Sequence, residues 1–158
     1  MIRKFFAAFT LIFFMTNPTA LAAENYPSIL VSFEGVTAEF KYGKYGYPNT
    51  VQEKDILFAI GEAMGPRNWN KRDNFYKTFA RQATRIAALR NLAEAMSGLK
   101  VEHFSNFKEG IDKLRTTLIH NSKVFKLLEK NARQVGNATF DEEGICTIFM
   151  AVRISSHK

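Results

Sequence analysis

Apolar residues alternate with polar ones near the start of the chain, which predicts extended structure from Ile29 to Phe40. The alternation changes phase at Glu34-Gly35, so the apolar residues before and after this point would lie on opposite faces of one straight strand. A bulge or a tight bend would keep both sets pointing inward, because glycine tolerates the backbone conformation of such bends. We therefore expect extended structure that is interrupted at Gly35.

The C-terminal residues predict a β-hairpin. Ala132 to Phe140 supplies one arm, and Asp141 to Gly144 supplies the turn. The apolar residues of the second arm share one phase and are Cys146, Ile148, Met150, Val152 and Ile154. Five apolar residues at alternate positions indicate that one face of this strand is directed into a core.

Spacings of three and four residues predict a long helix in the middle of the chain, with Asp73 as its N-cap and Gly98 at its C-terminal end. The residues expected on its inward face are Phe75, Phe79, Ala83, Ile86, Leu89, Ala93 and Met96. Those expected on its outward side are Lys77, Arg81, Arg85 and Ala88. Closely spaced alanines would let this helix lie close to the strands.

Three further segments extend the pattern. Thr50 and Glu53 fit a capping box, which predicts a short helix that ends at Gly65-Pro66. The alternation from Leu99 to His103 predicts a strand, and Phe107 to Leu118 predicts a second helical segment. Together the segments predict an α+β fold, in which an antiparallel sheet of about four strands packs against one long Ala-rich helix and the chain ends in a β-hairpin.

The first 23 residues are typical of a secretory signal peptide. Two basic residues precede an apolar run from Phe5 to Met15, and the small residues from Ala20 to Ala23 supply a cleavage site. The run of 11 positions is shorter than the roughly 20 that a membrane-spanning helix needs. We therefore expect export, a signal peptide over residues 1–23 and a single α+β envelope domain over residues 24–158.

The charge of the chain favours anionic partners. There are 22 basic and 15 acidic residues, and removal of Arg3 and Lys4 with the signal peptide leaves 20 against 15, a net charge of +5. A positive field attracts anionic partners such as the outer-membrane surface, whereas export argues against nucleic acid. The alternative is that the charge serves solubility alone. Cys146 is the only cysteine, so neither an internal disulfide nor a lipid anchor at the cleavage site is expected.

No arrangement of residues in the sequence indicates catalysis. His103, His120 and His157 share no metal-ligand spacing with one another. Cys146 begins the apolar phase of the last strand, where it is expected to pack as a small hydrophobic side chain. The sequence therefore predicts a protein that is not an enzyme, with no metal site and no cofactor.

A loop rich in tyrosine is the first candidate for contact with a partner or a glycan. Tyr42, Tyr45 and Tyr47 alternate with Lys41 and Lys44 and with glycines. Aromatic rings beside cations can stack on sugar rings or dock on a protein surface. The alternative is an ordinary surface loop whose tyrosines are partly packed.

A basic stripe on the long helix is the second candidate. Lys77, Arg81 and Arg85 recur every four residues and therefore lie on one side of the helix. This stripe could meet an anionic partner, and the alternative is a solvated helix face.

The residues from Ala80 to Val101 resemble a family signature. A helix with closely spaced alanines leads into Asn91-Leu92-Ala93-Glu94, then Gly98 and an extended segment with valine. This order is similar to that of the LPP-type ("LPP twenty") envelope lipoproteins, a group akin to the flagellar outer-membrane protein FlgP and the N-terminal domain of FlgT. A terminal strand pair with an acidic-glycine turn usually follows, and Asp141 to Gly144 stands in that place.

Two departures from the family pattern bear on function. Ala87 stands where the family helix often has an acidic residue, and the cysteine that would accept a lipid is absent. The resemblance implies no catalytic residues, because the family has no established active site. It implies an envelope location and, more remotely, a role in motility.

These observations lead to a main hypothesis and an alternative. The main one is a non-catalytic exported cell-envelope protein, periplasmic or peripheral on the outer membrane, that assembles with itself or with larger envelope or flagellar structures. The alternative is a periplasmic binding module that takes a glycan or another small ligand through the tyrosine loop.

Overall fold

A computed structural model describes residues 27–101, 107–118 and 121–154. Its elements in chain order are β1 (Ser28–Phe33), β2 (Val36–Lys41), β3 (Thr50–Glu53), β4 (Ile56–Ala63), α1 (Asn74–Ser97), α2 (Phe107–Thr117), α3 (Ser122–Asn131), β5 (Arg133–Phe140) and β6 (Cys146–Arg153). An antiparallel four-stranded sheet, the long helix α1 and the C-terminal β5–β6 hairpin confirm the predicted α+β fold. The predicted signal peptide and the three histidines lie outside the described residues.

The four-stranded sheet has the order β3-β4-β6-β5. Its central strands are apolar on both faces, and every residue from Ile56 to Gly61 in β4 is buried. The terminal hairpin pairs Phe140 with Cys146 and Arg133 with Ala151, with a register shift between Val135 and Thr139. A strand buried on both faces must be covered by two layers, and the rest of the chain supplies them.

The β1–β2 hairpin forms one covering layer. Glu34 and Gly35 have φ angles of 48° and 75°, which is the tight bend that the phase change predicted. Both apolar sets therefore point toward the sheet, where Val36, Ala38 and Phe40 pack against Phe58. The Phe40 and Phe149 rings meet edge to face, with centroids 5.2 Å apart.

An ionic cluster ties the bend of this hairpin to the sheet. The Arg153 guanidinium donates to the Glu34 carboxylate, with an Nη2–Oε2 distance of 2.6 Å, and also to the Asp55 carboxylate. These two acidic side chains hold the pKa of Arg153 above its ordinary value. Because these bonds join the bend at Glu34 to the β3–β4 turn and to β6, we interpret the cluster of half-exposed side chains as a structural tie.

Helix α1 forms the other covering layer and begins and ends where predicted. The Asp73 carboxylate accepts a hydrogen bond from the Phe75 backbone N–H at 2.9 Å, and Gly98 ends the helix in the left-handed conformation at φ 69°. The helix backbone nearly touches β4 at Gly61. A Cβ atom at that position would lie 2.3 Å from the Thr84 carbonyl oxygen and 2.8 Å from the Ala88 Cβ.

The predicted inward face of α1 is correct along its second half, where Ile86 and Ala93 are buried and Leu89 packs against the core, but it is wrong at the start of the helix. Phe75 is 70% exposed and Phe79 is 47% exposed, whereas Ala88, expected outside, is fully buried. The residues buried along the helix are Tyr76, Ala80, Thr84, Ile86, Ala87, Ala88, Asn91, Leu92 and Ala93. The close approach at Gly61 leaves room for small side chains only in the turn of α1 that holds Thr84 and Ala88.

Two polar side chains complete this contact between helix and sheet. The Thr84 hydroxyl lies 2.7 Å from the Ala80 carbonyl oxygen and 3.2 Å from that of Cys146. The Asn91 amide donates to the Ile60 carbonyl oxygen at 2.7 Å. Because buried polar groups need partners, these bonds fix the position of α1 along the strands.

The predicted short helix beginning at Thr50 is also wrong, because β3 and β4 form a hairpin there. Lys54, at φ 56°, lies in its turn. The spacing of Ile56, Leu57 and Ile60 resembled a helix because both faces of β4 are apolar, which hides the two-residue period of a strand.

The strand predicted from Leu99 is not formed over its described part. Residues 99–101 have no regular structure, and the Val101 N–H donates to the Glu94 carboxylate at 2.9 Å. Helices α2 and α3 follow and pack on the C-terminal half of α1 through buried leucines such as Leu114 and Leu128. Of the helices described, none is both long and apolar enough to cross a membrane.

Candidate functional site

Three exposed aromatic side chains lie together at the start of α1. We call Trp69, Phe75 and Phe79 the aromatic patch; their exposed fractions are 43%, 70% and 47%. Trp69 and Phe79 meet edge to face with ring centroids 5.2 Å apart. Phe75 lies one helical turn before Phe79, so the two phenylalanines project from the same side of the helix.

Buried contacts fix the segments that carry the aromatic patch. Tyr76, next to Phe75, is buried, and its hydroxyl donates to the Gly144 carbonyl oxygen at 3.1 Å. The Tyr76 ring packs so closely on Gly65 that a Cβ there would lie 2.6 Å from it. The turn that carries Trp69 is closed by a bond from its backbone N–H to the Pro66 carbonyl oxygen at 3.1 Å. These contacts hold the aromatic patch in place before any partner arrives.

The aromatic patch lies in the most positively charged part of the chain. Residues 63–93 contain seven basic residues and one acidic residue, a net charge of +6. The remaining residues contain 15 basic and 14 acidic ones, a net charge of +1. The exposed basic residues of this segment are Arg67, Lys71, Arg72, Arg81 and Arg85. The excess positive charge of the chain therefore lies in this segment, and Arg67, Lys71 and Arg72 are its exposed members nearest Trp69 in sequence.

The predicted basic stripe lies on another side of α1 than the phenylalanines of the patch. Arg81 and Arg85 are exposed, and Lys77 is half-buried. The Arg81 guanidinium lies over the Phe140 ring, 5.4 Å from its centroid. The stripe therefore follows α1 along the side nearest β5, while the phenylalanines of the patch leave the helix in another direction.

The tyrosine loop lies on the opposite side of the sheet. Tyr47 packs with the hydrophobic cluster under the β1–β2 hairpin, and its ring meets that of Tyr42 edge to face at 5.0 Å. Two backbone bonds between Gly43 and Gly46, of 2.9 and 3.1 Å, close a tight turn. Tyr45 at its tip is 93% exposed. The structure thus separates the two predicted sites and leaves one tyrosine of the loop fully open.

Cys146 is buried, as its phase in β6 predicted. Burial raises the pKa of its thiol, while a hydrogen bond with Thr84 and the charge of Arg81 act in the opposite direction. The thiolate is therefore disfavoured, and the side chain packs as a small apolar group.

Other candidate sites are weaker. Among the described residues no group of three or more potential ligands could hold a metal ion. The Asp141 carboxylate accepts from the Ile145 N–H at 2.8 Å, which closes the acidic turn. A cavity of about 130 Å³ lies between the three helices, with mostly apolar walls. Neither feature brings together groups that could carry out a reaction.

No family model, curated protein or solved structure matches the chain. The resemblance of Ala80 to Val101 to the LPP-type proteins stays a prediction from the residues. The aromatic patch was not predicted as a site, because Phe75 and Phe79 fit a core-facing stripe and Trp69 lay in a polar linker. Residues 63–93 contain seven basic residues and one acidic residue, and this excess of charge is the signal that could have indicated the aromatic patch.

Proposed function

We propose that this protein is an exported, non-catalytic cell-envelope protein that docks on a larger envelope structure through the aromatic patch. The observation that carries the proposal is the joint exposure of Trp69, Phe75 and Phe79 on a helix start that is held in place by Tyr76. Exposed apolar clusters with a polar rim mark interaction surfaces, and pre-positioned aromatic side chains lose little entropy on binding.

The envelope location rests on the sequence. The apolar run from Phe5 to Met15 and the small residues after it support export, and the LPP-type resemblance supports an envelope role. A part in motility rests on that resemblance alone. The burial of Cys146 supports a structural role for the one thiol, which is in keeping with a protein that acts by binding.

In-cell photocrosslinking tests the proposal. A photoreactive benzoylphenylalanine replaces Phe75 in one variant and Leu30, an exposed apolar residue of β1, in the control. We expect adducts with envelope components from position 75 and few from position 30. Equal and sparse adducts at both positions would overturn the proposal, and recovery of the protein in the cytoplasm would overturn its export.

A glycan-binding role is the second candidate, because Tyr45 is 93% exposed at the tip of a closed turn. The Lys44 ammonium lies 5.5 Å from the centroid of its ring, so a cation and an aromatic face are offered together. Binding of envelope polysaccharides by the full chain tests this role. Saturable binding lost in Tyr45→Ala but kept in Phe75→Ala would support it, and equal binding by both variants would exclude the loop as the site.

A further inference from the structure

We infer that the partner of the aromatic patch is the surface of an anionic phospholipid bilayer. This inference rests on the proposed function, since it takes the patch as the docking surface and names what the surface meets. It is carried by two observations that are independent of each other: where the charge of the chain lies, and how the three aromatic side chains are exposed.

The charge argument disfavours the most obvious alternative, a second copy of the chain docked face to face. The segment from Arg67 to Asp73, which carries Trp69, holds three exposed basic residues and one acidic residue, so two such faces would repel each other. A leaflet with anionic headgroups offers the opposite sign over a wide area. Arg67 and Arg72 lie on either side of Trp69 in sequence and are exposed, so headgroup contacts and ring insertion would occur side by side.

The aromatic argument favours a lipid interface over a stacked ligand. Nucleic-acid bases and sugars bind to open ring faces, but Trp69 and Phe79 cross edge to face at 80°, so one ring covers a face of the other. Phe75, at 70% exposure, is the most exposed side chain of the three and is available for insertion. Tryptophan and phenylalanine beside basic residues are typical of surfaces that lie at the headgroup level, with long basic side chains reaching the phosphates.

The chain contains its own reporter, because Trp69 is its single tryptophan. The full chain is mixed with phosphatidylcholine vesicles that do or do not contain phosphatidylglycerol, and Trp69 emission is recorded. Insertion should shift the emission to shorter wavelength and allow quenching by lipids with brominated acyl chains. Residues 5–15 are apolar and could bind lipid on their own, so the response is compared with that of variants that change the patch and keep residues 5–15.

Paired variants separate the two parts of the surface. Phe75→Ala with Phe79→Ala should lower the apparent affinity for anionic vesicles, read from the emission shift, at least tenfold. Leu30→Ala removes an exposed apolar side chain elsewhere and should not lower it. Arg67→Gln with Arg72→Gln should lower this affinity on the order of 20-fold at low salt. The control of equal charge change, Lys123→Gln with Lys126→Gln on α3, should have a much smaller effect.

The outcomes distinguish this inference from the proposed function. A shift with anionic vesicles that brominated lipid quenches supports a lipid partner. No shift, or a response to a single-stranded oligonucleotide or to dextran sulfate at lower concentration than to vesicles, overturns it. In the crosslinking experiment, lipid adducts at position 75 support the docking function of the patch and its lipid partner. Protein adducts support the docking function and overturn the lipid partner. Adducts at position 75 that do not exceed those at position 30 overturn both.

Discussion

The buried side of α1 carries small residues at its closest approach to β4, whereas the exposed side of its first two turns carries two phenylalanines. Ala80, Ala88 and Ala93 are fully buried, while Phe75 is 70% exposed. Gly61 brings the backbones together beside Ala88, where only small side chains fit. The difference shows that the position of a residue on this helix decides its burial, more than the hydrophobicity of its side chain does.

Tyr76 and Phe75 give the sharpest form of this comparison, because they are neighbouring aromatic residues with opposite environments. Tyr76→Ala should lower the free energy of unfolding by about 3–5 kcal/mol, because it empties a buried site and leaves the Gly144 carbonyl without its donor. Phe75→Ala should change it by less than about 0.5 kcal/mol. Urea unfolding of both variants gives the numbers, and similar losses would mean that Phe75 is buried in solution.

Ala88 and Ala83 test the same difference by adding bulk. Ala88→Leu should cost about 3 kcal/mol, since the new side chain would meet the β4 backbone at Gly61. Ala83 is half-buried, so Ala83→Leu should cost less than about 1 kcal/mol. Leucine and alanine have similar helix propensities, so helix formation does not separate the two variants. A larger loss at Ala83 would restore the face that sequence periodicity predicted.

Gly61 tests the contact from the side of the sheet. Gly61→Ala should cost about 2 kcal/mol, because its Cβ would lie 2.3 Å from a helix carbonyl oxygen that cannot move alone. Gly43→Ala is a suitable control, since the nearest atom to a Cβ there is 3.8 Å away. Thermal unfolding of the two variants compares them. A stable Gly61→Ala protein would show that α1 can lift from the sheet at little cost.

Much of the fold could be predicted from the sequence where one face of an element is apolar and the other is polar. The bend at Gly35 and the terminal hairpin followed from a two-residue period, and Asp73 and Gly98 correctly marked the ends of α1. The period fails in β4, because both of its faces are covered and Ile56 to Gly61 are all buried. A strand of that kind cannot be told from a helix by spacing alone.

The candidate site could be predicted only in part, for a related physical reason. The basic residues Arg81 and Arg85 are exposed as expected, because charged side chains are seldom buried without a partner. Phe75 and Phe79 fit the apolar spacing of a core-facing stripe, but the buried aromatic residue of the first turn is Tyr76, which packs on Gly65 and donates to the Gly144 carbonyl oxygen. These partners lie 11 and 68 residues away in the chain, so spacing within α1 does not indicate them.

The smallest expected effect concerns Cys146, the one titratable thiol in the small-residue contact. Burial raises its pKa above the ordinary value of 9.0, so the folded state holds the proton more tightly than the unfolded chain does. The resulting stability is fully present below about pH 9, and it is lost as the pH rises through the raised pKa of the folded state. Cys146→Ala removes this dependence, although the loss of the buried sulfur lowers stability at every pH.

The measurement is the urea midpoint of the parent and of Cys146→Ala across the range from neutral to alkaline pH, with the difference between them plotted against pH. We expect the advantage of the parent to shrink above pH 9, because ionisation of the buried thiol then destabilises its folded state, while effects that both proteins share cancel in the difference. An advantage that grows instead would mean that the thiolate is stabilised, and that Arg81 and Thr84 outweigh burial. Cys146 would then have to be considered as a reactive group rather than as packing between α1 and β6.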